Sequence, residues 1–194
     1  MNRPTFTVIA GANGAGKSTL TSGNPSTFAS IPVLDPDAFA KTIRSTEAAL
    51  SPIAAGREVL RLTEEHLKRR QSFAVETTLS GQNYLKMMRY ARGIGRGFEV
   101  TLIYIGTESV EINLARIAER VRAGGHNVPE IDVRRRYLRS LENLPLAVRN
   151  ADHVLLFDNS HEQGYQLVGI LSRARSEWFS PLPSWVAELK ATFA

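Results

Sequence analysis

Cysteine is absent from the 194 residues, so neither disulfides nor thiolate metal sites can contribute to the fold or its chemistry. Nothing approaches the roughly 18 consecutive apolar residues of a membrane-spanning helix. No charged-then-apolar leader precedes the first strand pattern, and a soluble, cytoplasmic protein without a membrane partner is expected. Acidic residues are the scarcer charge, 19 against 24 lysines and arginines, which leaves a net charge of +5 and a pI near 9.8. Such an excess welcomes an anionic ligand. The basic residues gather between Arg116 and Arg139 instead of forming a stripe interleaved with aromatics. That distribution fits a phosphate-rich small molecule at least as well as nucleic acid, which is not the partner expected. Internal repeats, low-complexity segments and linkers are also lacking, and residues 1–194 read as one domain.

What is present is a nine-residue stretch, Gly11-Ala12-Asn13-Gly14-Ala15-Gly16-Lys17-Ser18-Thr19, placed directly after the apolar run Phe6-Thr7-Val8-Ile9-Ala10. Gly11, Gly16, Lys17 and Ser18 have the spacing of a phosphate-binding P-loop. Its glycines let consecutive N–H groups converge on one anion. Lys17 can reach the outer phosphates, and the Ser18 hydroxyl suits Mg²⁺. ATP or GTP binding follows from this stretch more firmly than anything else in the chain.

The remaining sequence alternates strand and helix patterns. Ile31 to Leu34 reads as a short second strand, ending at Asp35-Pro36-Asp37. A helix is expected from Ser51 to Arg70, with Ser51 as N-cap and Pro52 at its first position. His66 lies beside its apolar face and reads as a packing histidine. Ser72 to Val75 forms a third strand leading into Glu76-Thr77-Thr78-Leu79-Ser80-Gly81, and Gln82 to Tyr90 is helical. Phe98 to Ile105 is apolar and β-branched enough for a central strand. Helices follow from about Ser109 to Gly124-Gly125 and from about Pro129 to Arg149, then a fifth strand at His153 to Phe157. Gln166 to Arg173 and Ser176 to Phe179 can add short strands, and Pro183 to Ala194 a terminal helix. This pattern predicts an α/β, P-loop NTPase/kinase-like three-layer fold: a mainly parallel sheet of about five strands, and an Arg-rich helical lid.

Polar groups collect where the strands end on the P-loop side: Asp35 and Asp37, Glu76 and Thr78, and Asp158-Asn159. Phosphoryl transfer needs a positioned acceptor hydroxyl, a carboxylate to take its proton or hold Mg²⁺, and cations around the transferred group. Asp37 is the chosen carboxylate, with Asp35 as the alternative. Glu76 leaves an otherwise apolar strand, where an unpaired carboxylate would be costly to bury, and with Thr78 it can grip an acceptor. In the Arg116–Pro129 segment and the following Arg134-Arg135-Arg136-Tyr137, Arg120 and one of Arg135 or Arg136 are chosen for phosphate contact. Arg116, Arg122, Arg134 and Arg139 are read as a solvated face. His126 either touches the acceptor or caps its loop.

Together, the P-loop at 11 to 19, Asp35-Pro36-Asp37, the Glu-Thr-Thr block at 76 to 78, Arg120-Val121 with Gly124-Gly125-His126-Asn127-Val128-Pro129, and Arg136-Tyr137-Leu138-Arg139-Ser140 resemble the compact bacterial branch of the zeta toxin family over about residues 5 to 160. The resemblance implies an ATP-dependent, Mg²⁺-requiring kinase of UDP-N-acetylglucosamine, a toxin with an antitoxin as partner. It implies that Gly11 to Thr19 bind ATP, with Lys17 also catalytic and Ser18 holding Mg²⁺. Asp37 would then be the general base, Glu76, Thr78 and His126 would meet the acceptor, and Arg120 with Arg135 or Arg136 would contact phosphates. The chain lacks the long insertions of the larger toxins that help hold the nucleotide sugar. Two other readings stay open: a kinase of another metabolite, nucleotide or antibiotic, and a P-loop ATPase acting as a nucleotide-driven binding or nucleic-acid-associated module.

Overall fold

A computed structural model describes residues 3–28, 30–36, 38–39, 52–93 and 97–193. Among the described residues, seven strands form one sheet. β1 (Thr5–Ala10) lies between β3 (Phe73–Thr77) and β4 (Glu99–Gly106), parallel to both. β2 (Val33–Leu34) extends the parallel array beyond β3, and β5 (His153–Asp158) extends it beyond β4. Parallel neighbours require crossovers, and helices supply them. α1 (Lys17–Gly23) and the single turn α2 (Pro25–Phe28) follow β1, and α3 (Pro52–Arg69) precedes β3. α4 (Asn83–Arg92) returns the chain to β4, while α5 (Val110–Arg122) and α6 (Glu130–Arg149) together precede β5.

The count of about five strands falls short by the two antiparallel strands β6 (Gln166–Ser172) and β7 (Ser176–Trp178). These are the short extra strands the tail pattern allows. They pair on the β5 edge through close turns, so no crossover helix is needed. α7 (Ser184–Phe193) then packs back on the sheet.

Alternation along β1 divides the core into layers. Phe6, Val8 and Ala10 point to the larger cluster, which includes Leu85 and Met88 of α4, Leu144 and Ala147 of α6, and Val186 and Leu189 of α7. Ile9 points to the opposite face, where Leu20 and Phe28 of α1 and α2 pack with Ile105. The three-layer α/β expectation therefore holds. His66 behaves as a packing residue: its ring stacks on Phe73 at 5.1 Å. The expected N-cap Ser51 lies outside the described residues, and α3 ends where Arg70 turns left-handed at φ 56°.

Helix α5 ends through its two glycines. Gly125 N–H donates to the Arg120 carbonyl at 2.8 Å and Gly124 N–H to that of Val121 at 2.9 Å, with Gly124 at φ 82°. This paired closure consumes the last carbonyls of the helix and turns the chain back into α6. No described helix is long and apolar enough to cross a membrane.

Candidate active site

Parallel pairing brings the C-terminal ends of the first five strands to one edge: Ala10 sits opposite both Thr77 and Tyr104, and Gly106 opposite Asp158. The P-loop leaves β1 there and curls at Gly14 and Gly16, whose φ values are 81° and 106°. A side chain at Gly16 would also meet Asn159 Nδ2 at 2.6 Å, and one at Gly14 the Asn113 carbonyl at 2.6 Å. Both positions therefore require glycine for backbone freedom and for room. Lys17 Nζ donates to the Gly11 carbonyl at 2.8 Å and to that of Ala12 at 3.2 Å, which folds the ammonium over the loop's mouth.

Side chains from neighbouring elements hold the loop. Asn113 Nδ2 on α5 donates to the Asn13 carbonyl at 2.8 Å, and Thr107 Oγ1 donates to Asn113 Oδ1 at 2.6 Å. Arg136 Nη1 on α6 reaches Asn13 Oδ1 at 3.1 Å. From the far side, Asn159 Nδ2 donates to the Ala15 carbonyl at 2.9 Å and Tyr165 Oη to the Gly16 carbonyl at 2.7 Å. The loop is thus held open by side chains that spare its N–H groups.

Glu76 is only 3% exposed. Its carboxylate accepts from Ser18 Oγ at 2.8 Å and from Thr21 Oγ1 at 2.7 Å. Burial pushes its pKa above the ordinary carboxylate value; the Thr21 hydrogen bond pulls it back, nearby Asp35 raises it further, and Ser18 and Lys17 lower it. Glu76, expected to meet an acceptor, lines the cavity with its carboxylate against the P-loop serine. Thr78 lies farther out, sharing a 2.9 Å hydrogen bond with Ser80.

These groups share a cavity of about 890 Å³. One wall is the P-loop with Ser18 and Thr19. Asp35, Glu76, Thr78, Ser80 and Tyr84 close one end, while Arg116, Asn159, His161 and Tyr165 line the other, and Arg120 and Arg136 border it from α5 and α6. Burial pushes the Tyr84 hydroxyl up to about 12, so it remains a neutral donor in the physiological range.

Of the chosen residues, Lys17, Ser18, Thr19, Glu76, Thr78, Arg120 and Arg136 come together at this cavity. Arg135 is exposed and paired with Asp132 at 2.6 Å, which separates it from Arg136. His126 is exposed, and its backbone carbonyl accepts from Arg120 Nη2 at 2.8 Å. Asp37 lies outside the described residues; Asp35, the alternative, lines the cavity.

Arg116 corrects the sequence reading. A solvated face is expected for it, yet it lines the cavity and its Nη1 is buried without a hydrogen-bond partner. Its spacing of four from Arg120 places both on one helix face and carries that information. Arg134 does form the surface pairs expected of a solvated arginine, with Glu111 at 2.9 Å and Glu130 at 2.8 Å. Asn113 is a further functional residue, and its sequence signal is an amide set three residues after Val110 and four before Ile117, on the apolar face of α5.

A model of the family described as zeta toxin matches residues 1–166. The chain belongs to the zeta toxin family. This zeta toxin relative is 42% identical over 127 residues to an uncharacterised protein of Haemophilus influenzae, covering 66% of this chain and 88% of that one. Among solved structures, it resembles a chain of the AvrRxo1-ORF1:AvrRxo1-ORF2 complex with ATP at a TM-score of 0.70 and 17% identity. That match covers 98% of this chain and 63% of the neighbour, so this chain spans less than two thirds of the neighbour's length. A chain from the PezAT chromosomal toxin-antitoxin system of Streptococcus pneumoniae matches at a TM-score of 0.59 and 17% identity, covering 88% of this chain and 72% of that chain. At such identities the likeness shows the fold, which is that of the P-loop kinases.

Proposed function

We propose that residues 1–194 form a single kinase domain that transfers the terminal phosphoryl group of ATP to a hydroxyl of a small molecule. UDP-N-acetylglucosamine is the first acceptor to test, and the activity would be that of a toxin restrained by an antitoxin in the cytoplasm. The observation that carries this reading is the continuity of one cavity from the P-loop to Asp35, Glu76, Thr78 and Ser80. A bound triphosphate would leave its end facing a pocket of hydroxyls and carboxylates instead of open solvent. An ATPase needs only a water there; a polar pocket of this extent suits a hydroxyl-bearing acceptor.

The donor set fits Mg²⁺. Among the described residues there is no group of three or more His, Cys, Asp or Glu that could hold a metal. The Ser18 hydroxyl hydrogen-bonded to the Glu76 carboxylate is instead the sparse oxygen set that Mg²⁺ uses when phosphates and water complete its shell. When bound, the ion would offset charge on the outer phosphates. Lys17 would exchange its two carbonyl partners for phosphate oxygens. Arg136 and Arg120 would balance charge spreading over the transferred group, and their closure would keep water from competing. Thr78 and Ser80 would orient the acceptor, with Asp37 taking its hydroxyl proton, a role that rests on the family resemblance. AvrRxo1-ORF1:AvrRxo1-ORF2 with ATP and the PezAT toxin-antitoxin system support the nucleotide and antitoxin parts of the reading as likenesses of fold.

The test is ATP turnover by the purified chain with Mg²⁺, with and without UDP-N-acetylglucosamine, followed by mass analysis. One added phosphate on the sugar nucleotide, lost in Lys17→Ala, is expected. Equal ATP loss with and without acceptor, and no gain in mass, would exclude this acceptor. In the same assay Asp37→Asn should abolish transfer while ATP binding persists; near-normal turnover by that variant would remove Asp37 from the mechanism.

A further inference from the structure

Helix α6 carries apolar side chains on two opposite faces, and the chain covers one of them. Val133, Leu144, Ala147 and Val148 are buried against the rest of the molecule. On the other side Ile131, Leu138 and Leu146 are 74%, 60% and 45% exposed. Single exposed apolar side chains are ordinary on a protein surface, but these three fall on one line. At about 100° per residue, positions 131, 135, 138, 142 and 146 lie within about 80° of arc. The line therefore also holds Arg135 and Glu142, both exposed.

Read from either end, this stripe has the same order: apolar, charged, apolar, charged, apolar. Only the sign of each charge changes with the direction of reading. Laid antiparallel against a second copy, with a two-fold axis beside Leu138, Ile131 meets Leu146 of the second copy and Arg135 meets its Glu142. One register satisfies both pairings, because 131 and 146 lie equally far from the midpoint between 138 and 139, as do 135 and 142. The two Leu138 side chains then meet at the axis. A two-fold contact presents the same patch to itself, and a patch whose charges change sign on reversal complements itself. Arg135 already pairs with Asp132 of its own helix at 2.6 Å, an exposed pair that costs little to share.

We infer that the outer face of α6 pairs antiparallel with a second copy of this chain. Contact through one helix is small beside the roughly 1,600 Å² of a standard interface, so a dissociation constant of about 10–500 µM is expected. The cavity stays clear of the contact. Arg136 and Tyr137 turn away from the stripe, to Asn13 Oδ1 and to the Thr107 carbonyl. Pairing thus goes beyond the kinase reading and stands or falls without it.

Sedimentation equilibrium of the full chain, from about 5 to about 1,000 µM, tests the inference. The mean mass should rise from the 21.4 kDa of one chain toward twice that value. Leu138→Glu places two carboxylates at the axis and should weaken pairing at least about tenfold. Arg135→Glu and Glu142→Arg should each weaken it about tenfold, since symmetry repeats each altered pair twice in the dimer. Combined, the two reversals should return the dissociation constant to within about threefold of wild type. This recovery separates recognition from misfolding, because a damaged helix is not repaired by a second charge change. A single-chain mass over the whole range would overturn the inference. So would a dimer that Leu138→Glu leaves intact, which would place the contact on another face, or a double reversal as weak as either single one.

Discussion

The P-loop wall of the cavity and the wall opposite it are held in different ways. Four side chains hold the P-loop from outside: Asn113 on α5, with Asn159 and Tyr165 beyond β5, bonds to its backbone carbonyls, and Arg136 on α6 bonds to the Asn13 side chain. On the opposite wall, Glu76 accepts from Ser18 and Thr21, and Thr78 shares its hydrogen bond with Ser80. The first wall is preorganised, and none of these side chains takes a backbone donor of the loop. The second consists of groups whose present partners a ligand or ion can replace, and that exchange is where binding energy can be converted into orientation.

The comparison breaks most severely at Gly16. Alanine there meets both the left-handed φ of 106° and Asn159 Nδ2 at 2.6 Å, and it would displace one of the side chains that fix the loop. Gly16→Ala should reduce ATP affinity more than about 100-fold, which corresponds to about 3 kcal/mol. Calorimetric titration checks this. Binding within tenfold of wild type would mean that the wall is not rigid.

The opposite wall is tested at Glu76. Its raised pKa has a definite consequence for stability: as pH rises, the unfolded chain ionises at the ordinary value, near 4 to 5, before the folded chain does. The group therefore destabilises the ligand-free fold progressively through that window and fully above the raised value. Glu76→Gln should remove this loss and raise the ligand-free melting temperature at pH 7 relative to wild type, with little change at pH 3. The same substitution should lower phosphoryl transfer about 100-fold by removing the anion beside Ser18. A variant that is less stable at pH 7 and fully active would show that Glu76 is a structural partner of Thr21 only.

How much of this was legible in the sequence follows the same division. The P-loop, the parallel strands and the strand-end polar groups are local signals: glycine spacing, apolar runs and the residues that follow them. Arg136 and Arg135 are adjacent, and only the rotation of α6 against α5 sends one to Asn13 and leaves the other with Asp132. Arg116 and Asn113 depend on how α5 is turned against the P-loop, which helical periodicity states only relative to the helix itself. The cost of burying a carboxylate singles out Glu76 in the sequence. Its neighbour is not legible there, because the pairing with Ser18 crosses 58 residues of chain.

A smaller effect is expected at Asn159→Ala. This change removes one donor to the Ala15 carbonyl, while Tyr165 still holds Gly16. The loop loses one of its supports. The KM for ATP should rise about fivefold to tenfold with kcat for the acceptor nearly unchanged, since one buried hydrogen bond is worth about 1 kcal/mol. A fall in kcat at constant KM would instead place Asn159 in the transition state.

The mildest test lies behind that support, in the tail beyond the family match at residue 166. Trp185 of α7 donates its indole N–H to Asp158 Oδ1 at 2.9 Å, and Asp158 in turn accepts from the Ser160 hydroxyl at 2.8 Å. Asp158 directly precedes Asn159, so the terminal helix steadies the strand end from which the P-loop is held. Trp185→Phe keeps most of the ring packed against Tyr104, whose centroid lies 5.5 Å away, and removes only the donor. The melting temperature should fall by a few degrees, as the loss of one hydrogen bond to a buried carboxylate requires at about 1.5–3 kcal/mol. If α7 supports the P-loop wall, the KM for ATP should rise about twofold to threefold while the KM for the acceptor stays constant. A lowered melting temperature with both constants unchanged would confine the tail to stability. An effect on the acceptor alone would contradict the division between the walls.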